Sequence, residues 1–207
     1  MKGEAQNMNK SGRPRKEHDN DSRNSLINAA ARLIARKGTD ALTVRAVCSE
    51  AGLSVGTFYY FFEDKDALMM SFIMETSFDG VELSCPLSDI AGRISELYML
   101  LIRRYMSFGR NFVRSFYNPY NKVLSAYMGE HESKFAEGTV MARSEQELTR
   151  ALAEGIITLP DGMTVHNLAS DLCTIIKGSV FEWCLSENID IETITERLIR
   201  CCMFRYA

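Results

Sequence analysis

The stretch TVRAVCSEAGLSVGTFYYFFEDKDAL, residues 43–68, decides how this chain is organised. Thr43 is expected to cap a short helix, because a threonine hydroxyl can accept a hydrogen bond from a free backbone amide of the first turn. Gly52 is expected to end that helix, since glycine takes the left-handed conformation at little cost. Ser54 then caps a second helix. The pattern predicts two short helices joined by a tight turn, with a further helix starting behind them.

The second of these helices has two different faces. With Phe58 at the centre of its buried face, a step of about 100° per residue brings Val55 and Phe62 to the same side. Small or hydroxyl-bearing residues point the other way, namely Gly56, Thr57 and Tyr60. Such a face, braced across a glycine turn, is typical of a helix-turn-helix that binds DNA phosphates and base edges. An ordinary helical hairpin with a tyrosine-rich surface is the alternative.

A family resemblance favours the first interpretation. The run LTVRAVCSEAGLSVGTFYYFFEDKDAL resembles the DNA-binding signature of the TetR/AcrR family of bacterial transcriptional repressors, and SLINAAARLIARKG, residues 25–38, resembles that family's first helix. The similarity covers roughly residues 22–75. It implies an all-α fold, with an N-terminal three-helix helix-turn-helix DNA-binding domain followed by a larger helical ligand-binding and dimerisation domain.

The resemblance also implies which residues contact DNA. Lys65 matches a lysine that holds a backbone phosphate, and the whole implied set is Thr43, Arg45, Ser54, Gly56, Thr57, Tyr59, Tyr60 and Lys65. One position departs from the family, because Phe61 stands where histidine is usual and phenylalanine cannot donate to a phosphate oxygen. A helical ligand-binding or interaction protein whose helix-turn-helix no longer binds DNA therefore remains the alternative function.

Composition and charge set the wider limits. The chain has 207 residues, 46% of them hydrophobic, and no apolar run near the ~20 residues of a membrane span. Residues 1–62 carry ten Lys and Arg against six Asp and Glu, a balance of +4, while the rest carries fourteen against twenty-one, a balance of −7. A basic head on an acidic body is expected if only the head approaches a polyanion. Residues 1–21 are polar without a signal-peptide core, so a cytoplasmic location is expected.

Signatures of metal or catalytic sites are missing from the sequence. The six cysteines form no CxxC pair, and the three histidines show no HxxxH or HExxH spacing. No GxSxG, P-loop or dinucleotide fingerprint occurs. We therefore expect no cofactor, no metal and no enzymatic activity. The expected organisation is a disordered basic arm over residues 1–21, a DNA-binding domain over 22–68 and an effector-binding and dimerisation domain over 69–207.

Aromatic residues and methionines accumulate in the body between residues 98 and 128. Such a set can line an apolar pocket in which phenolic hydroxyls orient a ligand. The predicted ligand-binding residues are Tyr98, Tyr105, Phe108, Phe112, Phe116, Tyr120, Tyr127 and Met128. The alternative for each of them is ordinary core packing.

Two long amphipathic helices close the sequence. Thr164 is expected to cap the first and Asp190 the second. Their wide apolar arcs can bury one side in their own chain and the other in a partner, and the resemblance implies the helix pair of a four-helix dimer interface. The predicted function is a homodimeric, ligand-responsive repressor that binds a palindromic operator in double-stranded DNA. A small apolar or aromatic effector, not identified by the sequence, would release it.

Overall fold

A computed structural model describes residues 15–74, 77–117, 120–131 and 134–206. The predicted all-α class is confirmed, with one addition, a two-stranded antiparallel hairpin that pairs Glu130 with Phe135. The elements in chain order are α1 Arg15–Lys37, a 3-10 turn Thr39–Ala41, α2 Val44–Ala51, α3 Val55–Phe61, α4 Lys65–Met74, α5 Ile90–Ser107, α6 Arg110–Phe116, α7 Lys122–Met128, β1 Glu130–His131, β2 Lys134–Phe135, α8 Val140–Ala153, α9 Val165–Leu185 and α10 Ile191–Met203.

The first helix begins earlier than the sequence suggested. It starts at Arg15 and not at Ser22, so residues 15–21 belong to a helix and not to a disordered arm. Composition alone missed this extension because a helix anchored downstream can continue through polar residues. The rest of the predicted arm, residues 1–14, lies outside the described residues.

The N-terminal head, α1 to α3, forms a compact three-helix core behind α3. Phe58 is fully buried with Leu26 and Leu33 of α1, and α1 packs against α2, α3 and α4. Arg32 donates to a carboxylate oxygen of Glu50 at 3.0 Å, which ties the outer sides of α1 and α2 together. The head therefore holds α3 from behind and leaves its other face outside.

A segment without helix, residues 77–89, joins the head to the body, and we call it the connector. Phe78 is buried and its amide donates to the carbonyl of Gly138 at 2.9 Å. In the structure α4 ends at Met74, and Phe78 packs as part of the connector.

The connector is also fixed by side chains of the body. The carboxylate of Glu96 accepts from the amides of Ser84 and Cys85, with distances of 2.9 to 3.0 Å. Burial by itself would raise the pKa of Glu96, but the hydrogen bonds from these residues outweigh it, so the pKa lies below the ordinary glutamate value. Arg93 donates to the carbonyl of Cys85 at 2.6 Å.

Four helices form the frame of the body. Helix α5 packs against α8 and α10, and α9 packs against the same two helices, so that the four close a ring. Buried apolar residues such as Leu97, Leu148, Leu172 and Ile199 fill it. The shorter helices are added outside this frame, where α6 packs on α9 and α7 packs on α4 of the head.

Two boundaries of the body differ from those predicted. Helix α8 starts at Val140 and not near Ser144, because Thr139 caps it by accepting from the amide of Ala142 at 3.2 Å. Helix α7 starts at Lys122 and not near Tyr120, since Asn121 accepts from the amide of Leu124 at 3.0 Å and so defines the first turn.

Candidate nucleic-acid interface and ligand cavities

Side-chain caps and a glycine turn fix the angle between α2 and α3. The hydroxyl of Thr43 accepts from the amide of Ala46 at 3.1 Å. Gly52 takes a left-handed φ of 68°, and the amide of the next residue, Leu53, donates to the carbonyl of Cys48 at 3.0 Å. These are the capping and turn features that the sequence predicted. They confirm a helix-turn-helix with a turn of about three residues.

The start of α3 is held by Ser54. Its hydroxyl accepts from the amide of Thr57 at 3.0 Å and lies 2.8 Å from the Thr57 hydroxyl. The two hydroxyls thus satisfy each other and the helix terminus. In this arrangement they leave the outer part of the face to Gly56, Tyr59 and Tyr60.

The outward face of α3 is exposed, as predicted. Tyr60 keeps 70% of its surface accessible, and Gly56 and Tyr59 are also exposed. Val55, which was predicted to be buried beside Phe58, is 41% exposed. That prediction is wrong because Val55 is the first residue of the helix and lies ahead of the turns that pack against α1.

Phe61 supports the exposed tyrosines. It is half-buried, and its ring meets the ring of Tyr60 edge to face, with centroids 4.8 Å apart. Tyr59 makes a similar contact with Phe58 at 5.5 Å. Edge-to-face pairs are a favoured aromatic arrangement, so each outward tyrosine is fixed by a ring behind or beside it. Compared with the histidine usual at this position, Phe61 therefore lacks a hydrogen-bond donor but packs against the ring of Tyr60.

The remaining predicted DNA contacts surround this face. Thr43 and Arg45 are exposed at the start of α2, and Lys65 is exposed at the start of α4. None of the three is in the core of the head. The structure thus leaves all eight predicted DNA-contacting residues at least partly accessible, with Thr57 the most enclosed of them.

Most of the predicted ligand-binding residues are core residues. Six of them are buried in the packed body, namely Tyr98, Tyr105, Phe112, Phe116, Tyr127 and Met128. Tyr120 is 92% exposed and lines neither of the two cavities described below. The clustering in sequence arose because these residues form the inner faces of α5, α6 and α7, which pack on one another and on α9.

The buried phenols are held in their neutral form. Burial raises the pKa of Tyr98 far above that of a free tyrosine, and its hydroxyl lies 3.3 Å from the hydroxyl of Ser144. Burial likewise raises the pKa of Tyr127 to about 12, although the nearby charge of Arg104 partly opposes the shift. These hydroxyls donate or accept as neutral groups at every ordinary pH.

Two of the cavities on the described part of the chain border a predicted ligand-binding residue. The first is a crevice of about 630 Å³ between head and body, which is lined by the predicted ligand-binding residue Phe108. Its other charged and aromatic lining residues include Asp40, Arg110, Arg114, Trp183 and Glu187. The guanidinium of Arg110 stacks over the indole of Trp183, 4.8 Å from the ring centroid.

The second cavity is a groove of about 570 Å³ between α7 and α9, which we call the α7–α9 groove. Met128 is the only predicted residue in its lining, which consists of Tyr117, Leu124, Ser125, Met128, Gly129, Thr174, Lys177, Gly178 and Phe181. Sequence reasoning missed the α9 side of the groove. The available signal was the Lys177–Gly178 pair, which interrupts an otherwise apolar helical run.

The two last helices expose apolar side chains. Phe204 is 85% exposed just after α10, and Leu198 is accessible two turns before its end. On α9, Phe181 and Leu185 are exposed one turn apart. We call Phe181, Leu185, Leu198 and Phe204 the C-terminal apolar face. Both helices begin at the predicted caps, Thr164 and Asp190.

Over the residues that the structure describes, no helix is both long and apolar enough to cross a membrane. Within the same ranges, His, Cys, Asp and Glu side chains form no group of three that could hold a metal ion. The six cysteines are free thiols, and Cys201 is the exposed one among them.

Comparison with known proteins identifies the N-terminal part. Residues 26–71 match the family model described as bacterial regulatory proteins, tetR family. A stretch of 52 residues is 40% identical to an uncharacterized HTH-type transcriptional regulator, YerO, of Bacillus subtilis strain 168. That match covers 25% of this chain and 18% of the relative, so the chain spans less than a fifth of the relative's length in the alignment.

Solved structures with the same fold cover nearly the whole chain. The crystal structure of RolR in complex with resorcinol aligns with a TM-score of 0.57 at 19% identity, over 89% of this chain and 88% of that one. The repressor FadR of Thermus thermophilus, in complex with lauroyl-CoA, aligns with a TM-score of 0.55 at 14% identity, over 87% and 93%. These likenesses confirm the predicted two-part helical fold. YerO is described as a transcriptional regulator and FadR as a transcriptional repressor.

Proposed function

We propose that this chain, whose residues 26–71 match the tetR family model, is a homodimeric, ligand-responsive transcriptional repressor of that family. It would bind a palindromic operator in double-stranded DNA and leave it when a small apolar or aromatic effector enters the body. The observation that carries this proposal is the outward face of α3, where Tyr60 and Tyr59 stand exposed on either side of Gly56 while Phe58 is fully buried behind them.

The exposed face suits a major groove. Gly56 has no Cβ, and a Cβ placed there would lie 3.6 Å from the Ser54 hydroxyl and meet no other atom within 4 Å, so the surface is flat at this point. A flat spot lets the helix backbone approach base edges closely, while the two phenols can bond phosphates or bases. Arg45 and Lys65 would add phosphate contacts from the starts of α2 and α4.

Dimerisation would bring two such faces into register. The C-terminal apolar face is the exposed side of α9 and α10, and apolar surface of this kind is typical of subunit interfaces. Two copies joined there by a two-fold axis would present two α3 helices to successive major grooves. The operator is therefore expected to be an inverted repeat.

Effector binding would act through the body. Resorcinol and lauroyl-CoA are bound by the two fold relatives named above, which supports a small organic effector here without identifying it. Helix α7 lines the α7–α9 groove and also packs on α4, the first helix beyond the helix-turn-helix. A ligand that displaces α7 would move α4 and alter the spacing of the two heads. Coupling of ~1–3 kcal/mol is typical of such systems.

The test is DNA retention by the full-length protein across a salt series. The fragment comes from beside the protein's own gene, and an unrelated fragment is the comparison. Tyr60→Ala should abolish selective retention, because it removes an exposed phenol without opening the core. The control is Tyr120→Ala, another highly exposed tyrosine, which lies in the body.

Selective, salt-sensitive retention that survives Tyr120→Ala and fails with Tyr60→Ala supports the proposal. Equal retention of both fragments is followed by a selection from randomised duplexes. If that selection also enriches no sequence, the repressor proposal is wrong and a helical binding protein with an inactive head takes its place.

A further inference from the structure

The α7–α9 groove combines an apolar lining with a single charged side chain. Tyr117, Leu124, Met128 and Phe181 supply most of the lining, and Lys177 is its only charged member. The volume of about 570 Å³ lies within the range of small-molecule sites. The groove is thus large enough for a compact organic molecule.

Lys177 has no counter-charge in the described part of the protein. It is half-buried, and it makes no ion pair or hydrogen bond with any residue described there. The neighbouring lining groups on its helix, Thr174 and Gly178, carry no charge. An ammonium next to apolar surface favours an anion, because an ion pair strengthens where water is partly excluded.

Gly178 keeps the groove open. A Cβ placed at this position would meet no atom within 4 Å, although Gly178 lies inside the long helix α9. Glycine in a helix interior costs about 0.5–1 kcal/mol relative to alanine. The residue therefore weakens α9 locally and leaves free space next to Lys177, where a ligand chain can lie.

Met128 connects the groove to the core. Its sulfur accepts from the hydroxyls of both Tyr105 and Tyr117, each at 3.6 Å. Its carbonyl also accepts weakly from the thiol of Cys173 at 3.9 Å. A ligand that presses on Met128 would therefore shift the end of α7 relative to α5 and α9.

We propose that the α7–α9 groove binds an amphipathic monoanion, a carboxylic acid with an unbranched or aromatic apolar body. The carboxylate would pair with Lys177, and the apolar part would lie over Gly178 against Leu124 and Met128. The inference rests on the proposed function in one respect, since it names the chemical class of that repressor's effector. A neutral or cationic molecule of equal size would lack the charge pair.

Calorimetry on the full-length protein without DNA tests the ligand class. The probes are octanoate, 1-octanol and octylammonium, which share one apolar chain and differ in charge. Octanoate is expected to bind at least tenfold more tightly than octanol, and octylammonium the most weakly. Lys177→Met should reduce the affinity for octanoate to the level of octanol, while Lys122→Met, at an exposed lysine outside the groove, should change nothing.

A second variant tests the location. Gly178→Leu should abolish binding of octanoate and octanol together, because its side chain fills the groove, and thermal unfolding checks that the variant is folded. Equal affinities for the three probes, or octanoate binding that survives Gly178→Leu in a folded protein, would overturn the inference. The inference would also be overturned if the second subunit fills the groove. That outcome would show as weaker dimerisation of Gly178→Leu and no octanoate binding by the wild-type protein or the variant.

The two proposals fail in different assays. Loss of octanoate preference with selective DNA retention intact would leave a repressor with another effector. Octanoate binding by a protein that selects no DNA would keep the ligand site and overturn the repressor proposal.

Discussion

Replacing Glu147 by glutamine is expected to destabilise the whole body. The carboxylate is only 1% exposed and lies 2.6 Å from Arg93 and 2.8 Å from Arg143, whose side chains are 13% and 17% exposed. A third arginine, Arg150, approaches at 3.4 Å from a largely exposed position and adds little. Glutamine keeps the size of the side chain and removes the charge that holds two enclosed guanidinium groups.

The magnitude follows from this enclosure. Removing one partner of a buried ion pair costs about 3–5 kcal/mol, because the other charge is left uncompensated. The lower end applies here, since Arg93 keeps its bond to the Cys85 carbonyl at 2.6 Å and Arg143 its bond to the Asp79 carbonyl at 3.0 Å. A loss of about 3 kcal/mol is a large part of the 5–15 kcal/mol that stabilises a typical protein.

Urea denaturation measures this loss directly. At a slope of about 3 kcal/mol per molar urea, the midpoint should fall by about 1 M. The control is Glu154→Gln, the same change at an exposed residue just after α8, for which the free energy of unfolding should shift by less than about 0.5 kcal/mol. If Glu147→Gln matches that control, Arg93 and Arg143 are solvated well enough without a carboxylate, and the argument from burial is refuted.

Three further outcomes are expected. Gly56→Ala should raise the free energy of unfolding by about 0.5–1 kcal/mol, because the site is helical and uncrowded. The same variant should retain operator DNA more weakly. A variant that is more stable and binds DNA equally well would contradict the proposed interface. Gly52→Ala should lower that free energy by about 1–2 kcal/mol in urea denaturation, since its φ of 68° penalises any side chain; an unchanged midpoint would contradict this. Two carboxylates, Glu50 and Glu96, have pKa values below the ordinary glutamate value of about 4.3. For Glu50 the cause is mainly hydrogen bonds from Arg32 and Arg36. Both carboxylates therefore stabilise the fold at pH values above the ordinary glutamate pKa. This stability should be lost as the pH falls below the ordinary glutamate pKa and through the lower pKa values of the folded protein. Glu96→Gln should therefore reduce the pH dependence of urea denaturation in acid, and an equal pH dependence in the variant would contradict this.

The helix-turn-helix could be read from the sequence because its determinants are local. Thr43, Gly52 and Ser54 act within three or four residues of themselves, by capping an adjacent helix or reversing the chain. Residue type and spacing then suffice, and the exposed face of α3 follows from the position of Phe58. The predicted caps of α9 and α10 were correct for the same reason.

The ligand-binding residues could not be read in this way. An aromatic residue on an inner helix face looks alike in sequence whether it packs in the core, as Tyr98 does, or borders a cavity, as Met128 does. The difference depends on how α5, α7 and α9 pack together, which involves residues far apart in the chain. The residues of α9 that line the groove were not predicted for the same reason.

The sequence by itself determined the helical class, the helix-turn-helix with its outward tyrosines, and the caps of the two last helices, since each depends on neighbours along the chain. Tertiary structure alone decided where the cavities open and that the connector is fixed through Glu96 and Arg93. It also decided that Lys177 lies beside apolar surface without a counter-charge from any described residue. These features arise between elements that are distant in sequence, so their chemistry depends on packing and not on local pattern.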